Sequence, residues 1–277
     1  MSAKKSKSKS PNSKVPLNKP SLTEEELLWA DAIETARFLC KEDFGRVTEF
    51  DIAQHAIVAK QKVHKALTRM RRLKKFREQY KIPEDANMYE AIKLVQTFVD
   101  AHPDFLQSFG KDSAGRLVIC FRFAALQSSK MTVEQQFVAL YFIFQALQSD
   151  LDVIRNGTVW IGDFQNVTRD IFSLQLINAG RALCRDSYPI KIKDFPCLNA
   201  PPMMSAVYAI CRPFLSQRTR QVMCMDCTLD MLLKHFPKQI INEGMGGMQR
   251  PVEMMDLLED CIKKRFENEE FFRWRNP

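Results

Sequence analysis

The sequence lacks the features of membrane-spanning and secreted proteins. No apolar run approaches the roughly 18 residues that a transmembrane helix requires, and the polar stretch 1–22 lacks the apolar segment of a secretory signal. The eight cysteines are scattered along the chain rather than closely spaced, which excludes a small disulfide-built scaffold. We therefore expect a cytoplasmic protein with reduced thiols.

Motifs for catalysis, metal binding and phosphate binding are also missing. The chain has no Gly-x-Ser-x-Gly, and none of its four histidines lies where a catalytic triad would need one. Cys224 and Cys227 have the spacing of a zinc-ligand pair, but no second pair follows them. The glycine-rich stretch 244–247 has no lysine after it, unlike a phosphate-binding loop. These absences predict that the protein is not an enzyme and holds no metal or cofactor.

The positive charge is concentrated near the N-terminus. The chain carries a formal net charge of +8, and six of its lysines precede the first acidic residue, Glu24. The remaining residues are close to neutral overall, so we expect no broad nucleic-acid surface. An RNA- or DNA-binding helical module built on residues 50–80 and the tail stays open as an alternative, although such a module would not need an apolar helix like that at 203–211.

Composition and periodicity divide the chain into three regions. Residues 1–22, rich in Lys, Ser, Pro and Asn, predict a disordered basic tail. Residues 23–104 predict a small all-α subdomain. Residues 105–277 predict an α/β domain that ends in a helix.

The all-α region contains three helical patterns. The first begins at a Thr23–Glu26 capping box and runs toward Phe38. The second spans 50–80, with apolar residues every three or four positions and a row of lysines and arginines, including Arg77, on the opposite face. The third spans 85–100.

Strands and helices alternate after Gly115. Short apolar runs predict strands and longer periodic runs predict helices, and their alternation predicts a largely parallel sheet covered by helices. The predicted strands span 117–123, 158–164, 190–198 and 221–225, and the predicted helices span 132–152, 169–185, 203–211 and 252–266. The helix at 203–211 is nearly all apolar, so it lies in a core or faces an apolar ligand.

Several short motifs occur in a fixed order. Tyr188-Pro189 is followed by Asn199-Ala200-Pro201 and then by Arg212-Pro213-Phe214-Leu215, while Gly115-Arg116 and a strand ending in Asp163 lie upstream. Their order and spacing resemble those of the CRAL-TRIO (Sec14-like) lipid-binding family, most closely its tocopherol- and retinal-carrier branch. The resemblance covers roughly residues 85–250. It implies a CRAL-TRIO fold, in which a sheet forms the floor of a hydrophobic cavity and a movable helix, here at 200–215, forms its lid.

The resemblance also implies which residues contact the ligand. In the carrier branch, the positions that line the pocket match Phe137, Leu140, Phe144, Gly162, Leu183, Tyr188 and Phe195. Gly162 has no side chain in mid-strand, which we expect to leave space. Trp160 lies on the same face of its strand, and we expect Met204, Val207 and Ile210 on the inner face of the lid.

Four cations lie next to the predicted lid. In some members of the branch, the matching positions form a basic cleft for phosphoinositide headgroups. We therefore predict that the protein contacts anionic or phosphoinositide-containing membranes through Lys191, Lys193, Arg218 and Arg220. An ordinary solvated face is the alternative for these residues.

The sequence thus predicts a non-enzymatic lipid carrier that is transiently associated with membranes. It would bind one hydrophobic small molecule in an internal cavity and transfer it between membranes. The alternative is a lipid-responsive adaptor, in which the cargo gates an unidentified protein partner. A tocopherol, a retinoid, a sterol-like molecule and a fatty acyl lipid all fit the predicted pocket, so the cargo stays open.

Overall fold

The computed structural model describes residues 21–40, 42–126, 131–168, 188–214, 217–241, 243–248 and 254–275. The predicted helix at 169–185, with Leu183, lies outside these residues. The helices are α1 (Glu24–Leu39), α2 (Glu49–Ala59), α3 (Val63–Gln79), α4 (Met88–Ala101), α5 (Val133–Leu147), α6 (Leu151–Asn156), α7 (Pro202–Cys211), α8 (Gln217–Val222), α9 (Leu229–His235) and α10 (Met254–Arg275). The strands are β1 (Leu106–Lys111), β2 (Leu117–Arg122), β3 (Thr158–Asp163), β4 (Ile192–Leu198) and β5 (Met223–Cys227).

Local sequence signals set the starts of several helices. The predicted capping box at α1 is confirmed, because Thr23 and Glu26 each bond the other's backbone N–H. Thr132 and Gln135 form the same arrangement at α5. The helix predicted over 132–152 is nevertheless two helices, because α5 ends at Leu147 and α6 begins four residues later.

The single helix predicted over 50–80 is wrong. Residues 60–62 separate α2 from α3. Lys60 has a φ of 53°, and this ends α2 because a right-handed helix requires a negative φ of about −60°. Arg77, predicted on the exposed face, is buried, and its Nε donates to the hydroxyl of Tyr141 at 2.8 Å. Arg77 therefore contacts α5, whereas Lys65, Arg72 and Lys75 of the same predicted face are exposed.

Five strands form one sheet in the order β1-β2-β3-β4-β5. β2, β3, β4 and β5 pair in parallel, whereas β1 pairs antiparallel with β2. The predicted α/β class with a largely parallel sheet is confirmed, and β1 is a strand that the sequence analysis did not predict.

The two faces of the sheet are covered by different elements. One face carries Phe121 and Trp160 and packs against α3, α4, α5 and α10. The opposite face carries Val159 and Ile161 and packs against α9 through Leu232. Because both faces of the central strand are covered, all six residues of β3 are buried.

Candidate functional site

The ends of β3 and β4 meet where α7 begins. Asp163 ends β3, and its Oδ1 accepts a hydrogen bond from Nδ2 of Asn199 at 2.9 Å. Asn199 has a φ of 52°, a left-handed conformation that asparagine tolerates better than most residues, and it turns the chain toward Pro201 and α7. Two motifs that are far apart in the sequence therefore form one contact at the carboxyl edge of the parallel strands.

Six aromatic residues lie together beside this edge, and we refer to them as the aromatic cluster: Phe121, Phe123, Phe144, Trp160, Phe164 and Phe195. Trp160 stacks on Phe144 with ring centroids 5.3 Å apart and meets Phe121 edge-on at 5.2 Å. Phe123 stacks on Phe164 at 4.7 Å. The structure thus places Trp160 in contact with both Phe144 and Phe195, so three of the predicted ligand residues lie together.

The space that we expected beside Gly162 is occupied by ring edges. A Cβ atom built on Gly162 would lie 2.9 Å from Phe164 Cε2, 3.0 Å from Phe195 Cε2 and 3.4 Å from Phe123 Cε2. The absent side chain therefore allows three rings to approach the strand. The local sequence cannot reveal this, because Phe123 follows β2, Phe164 follows β3 and Phe195 lies within β4.

α7 covers one side of the aromatic cluster and is mostly exposed. Of the α7 side chains that the structure describes, Met204 alone is buried, and it packs with Phe164 and Cys197. Val207 is half-buried. Ile210, predicted on the inner face of this helix, is instead 67% exposed, because it lies toward the helix end remote from the sheet contact of Met204.

The other predicted ligand residues lie nearer to the helical region. Phe137 is buried against Tyr80 of α3, with ring centroids 5.5 Å apart, and Leu140 is half-buried in the same core. The Tyr188 hydroxyl donates to the backbone carbonyl of Tyr141 at 3.1 Å. Burial raises the pKa of Tyr188 well above its ordinary value, so this residue is a neutral donor at physiological pH.

The four predicted membrane cations have different environments. Lys191 is half-buried, and its Nζ donates to the backbone carbonyls of Ile57 at 3.3 Å and Arg155 at 3.4 Å. Lys193 and Arg220 are exposed. Arg218 lies on α8, and its side chain is outside the described part of the structure. Lys191 thus joins α2 to the α/β domain.

The thiols on β4 and β5 are poor candidates for catalysis. Burial raises the pKa of Cys197 to about 12 and that of Cys227 to about 11, so both stay protonated and weakly nucleophilic at neutral pH. Within the described ranges, no group of three His, Cys, Asp or Glu side chains is placed to hold a metal ion. None of the helices in those ranges is long and apolar enough to cross a membrane.

Sequence reasoning missed Phe121 and Phe123 of the aromatic cluster as candidate site residues. Phe121 on β2 and Phe123 directly after β2 follow Ile119 at alternate positions, the spacing that places side chains on one strand face. Phe164 continues the same alternation from Trp160 and Gly162 on β3. Alternation was therefore a usable signal, but the β2–β3 pairing was needed to show that the two rows share one face.

Comparisons with known proteins agree with this architecture. Residues 104–247 match the family model described as CRAL/TRIO domain. The chain is 26% identical to Clavesin-2 of Mus musculus over 180 residues, which cover 62% of this chain and 54% of that protein. It is 24% identical to Alpha-tocopherol transfer protein-like of Homo sapiens over 140 residues, which cover 49% of this chain and 41% of that protein.

A solved structure shows the same fold. The crystal structure of Sfh5 superimposes with a TM-score of 0.51 at 13% identity, over 77% of this chain and 84% of that chain. The chain spans about half the length of the curated relatives it matches. The CRAL/TRIO match covers just over half of the chain. This chain therefore belongs to the CRAL/TRIO domain family of lipid-binding and lipid-transfer proteins.

Proposed function

We propose that this protein binds one hydrophobic small molecule between the sheet and α7 and exchanges it with membranes, with α7 as the lid. The observation that carries the proposal is that α7 is almost entirely apolar yet buries only Met204 among its described side chains. Exposed apolar surface of this kind is typical of ligand and membrane contacts. Membership of the CRAL/TRIO domain family supports a lipid as the cargo.

The energetics of burial favour exchange at a membrane surface. Burying about 400 Å² of apolar ligand surface is worth about 10 kcal/mol relative to water. A bilayer solvates the same molecule almost as well, so transfer between the protein and the bilayer is nearly balanced. The Phe and Trp side chains of the aromatic cluster carry no charge, so they can separate around a ligand without breaking ion pairs.

The proposed membrane contact uses the exposed cations Lys193 and Arg220. Each cation close to an anionic leaflet strengthens binding about fivefold. Lys191 is held by two backbone carbonyls, so we assign it a structural role. Replacing Lys193 and Arg220 together by Gln should weaken binding to anionic vesicles and leave the free energy of unfolding nearly unchanged. Lys191→Gln should lower the free energy of unfolding and leave vesicle binding nearly unchanged. If a vesicle flotation assay showed weaker binding for Lys191→Gln than for the double variant, Lys193 and Arg220 would not be the membrane contact.

Native mass spectrometry of the purified protein, followed by organic extraction, tests the central claim. A stoichiometric apolar molecule, bound on purification or taken up from mixed lipid vesicles, is the expected result. A mass that stays that of the bare chain after incubation with vesicles would contradict the carrier proposal. The lipid-responsive adaptor would then also lack a cargo, and a search for protein partners would come first.

Introducing a charged side chain on the half-buried side of α7 tests whether this helix is the lid. Val207→Asp should reduce cargo uptake at least tenfold, because a half-buried carboxylate disfavours closure over an apolar ligand. Ala206→Asp is the matched control, since Ala206 precedes Val207 and is exposed. Far-ultraviolet circular dichroism establishes that both variants are folded, and equal uptake by both would rule out α7 as the lid.

A further inference from the structure

The indole N–H of Trp160 is the one side-chain hydrogen-bond donor within the aromatic cluster. The Trp160 side chain is 6% exposed, and its Nε1 has no hydrogen-bond partner among the residues that the structure describes. Its ring neighbours Phe121, Phe144 and Phe195 offer only carbon atoms. A buried donor without an acceptor is unfavourable and uncommon in folded proteins, so this position needs an explanation.

The tyrosine hydroxyls in the adjoining part of the same core are paired. Tyr188 donates to the carbonyl of Tyr141 at 3.1 Å, and the Tyr141 hydroxyl accepts from Arg77 at 2.8 Å. Thr158 Oγ1 is also without a partner, but it lies at the start of β3, away from α7. Arg122 Nε likewise has no hydrogen bond, but it lies 3.8 Å from the Asp163 carboxylate. Trp160 is therefore the unpaired donor inside the aromatic cluster, which α7 covers on one side.

We propose that Trp160 Nε1–H donates a hydrogen bond to an oxygen acceptor of the cargo, an inference that rests on the proposed carrier function. The cargo would then be an apolar molecule with a carbonyl, ester or other acceptor oxygen at the end that reaches β3, and not a plain hydrocarbon. A hydrogen bond in these aromatic surroundings is stronger than one exposed to water. One such bond fixes the orientation of a ligand that is otherwise held only by shape.

Two matched probes test the inference: a saturated fatty-acid methyl ester and the unbranched alkane of the same chain length. The full chain should bind the ester about two- to tenfold more tightly than the alkane. Trp160→Phe keeps an aromatic ring and removes the N–H, so it should abolish this preference. Trp29→Phe, at a half-buried position on α1, should leave the preference unchanged.

The indole N–H signals in a ¹H–¹⁵N spectrum give a second readout. The chain has three tryptophans, and the Trp160→Phe spectrum identifies the signal of Trp160. This signal should move downfield with the ester and not with the alkane. Equal binding of both probes, or an indole signal that the ester leaves in place, would overturn the inference and leave the carrier function standing. Failure of the native chain to bind either probe would overturn the carrier function as well.

Discussion

Two buried regions of this protein are stabilised by different interactions. The first, which we call the charged cluster, consists of Asp51, His55, Arg77 and Arg265 and joins α2, α3 and α10. Arg265 donates through Nη2 to Asp51, and Arg77 donates through Nη1 to the carbonyl of Arg46 at 2.6 Å. The second region is the aromatic cluster beside α7, which is packed through ring faces and edges.

The difference shows where the molecule is fixed and where it can open. Burial alone would raise the pKa of Asp51, but the charges of Arg265 and Arg77 lower it to about 2, so the carboxylate stays ionised and bonded. Directional charged contacts of this kind allow few alternative arrangements. Packing between rings is less directional and allows more alternative arrangements. We therefore expect α2, α3 and α10 to stay in place while the aromatic cluster admits a ligand.

We expect the largest loss of stability when Arg265, the central cation of the charged cluster, is replaced. Arg265→Met should lower the free energy of unfolding by about 3–5 kcal/mol, because it leaves the Asp51 carboxylate buried without its main partner. Urea denaturation measures the change. Lys263→Met, at an exposed position on the same helix, should alter stability little. If the two variants were equally stable, the charged cluster would not be the fixed region.

The second effect is a pH dependence that originates at His55. Burial is the main cause that lowers the pKa of His55 from 6.5 to about 3, with Asp51 opposing the shift and the Arg69 and Arg265 charges adding to it. Below pH 6.5 the unfolded chain therefore binds a proton that the folded chain excludes. Stability should fall as the pH decreases from 6.5 toward 3, by up to about 1.4 kcal/mol per pH unit.

His55→Gln should flatten this slope, which urea denaturation at several pH values would reveal. The exposed His64 provides the matched control, because His64→Gln should keep the slope of the native chain. A slope that His55→Gln leaves unchanged would assign the pH dependence to other groups.

We expect the smallest loss of stability from a substitution in the aromatic cluster. Gly162→Ala adds a Cβ that meets the ring edges of Phe164 and Phe195, and we expect a loss of about 1–2 kcal/mol from overpacking. Combining it with Phe164→Leu should recover part of that loss, since the smaller side chain makes room. A loss as large as that of Arg265→Met would show that the aromatic cluster is as fixed as the charged cluster.

Features encoded by neighbouring residues were predictable. The capping boxes at Thr23 and Thr132 depend on residues three positions apart. Short apolar runs marked both ends of β2, β3 and β4 to within two residues. The break at Lys60 was not predictable, because the helical period of apolar residues continues across it. β1 was missed because its sequence, Leu-Gln-Ser-Phe-Gly-Lys, has little β-branched character.

By itself, the sequence determined the α/β architecture, the starts of α1 and α5 and the motif order shared with the CRAL/TRIO domain family. Only the tertiary structure decided the environments of the candidate site residues. Rings from three different strands or the turns after them occupy the space beside Gly162, and Lys191 bonds a carbonyl 134 positions away in the chain. Such contacts depend on how strands pair and helices pack, which no local pattern records.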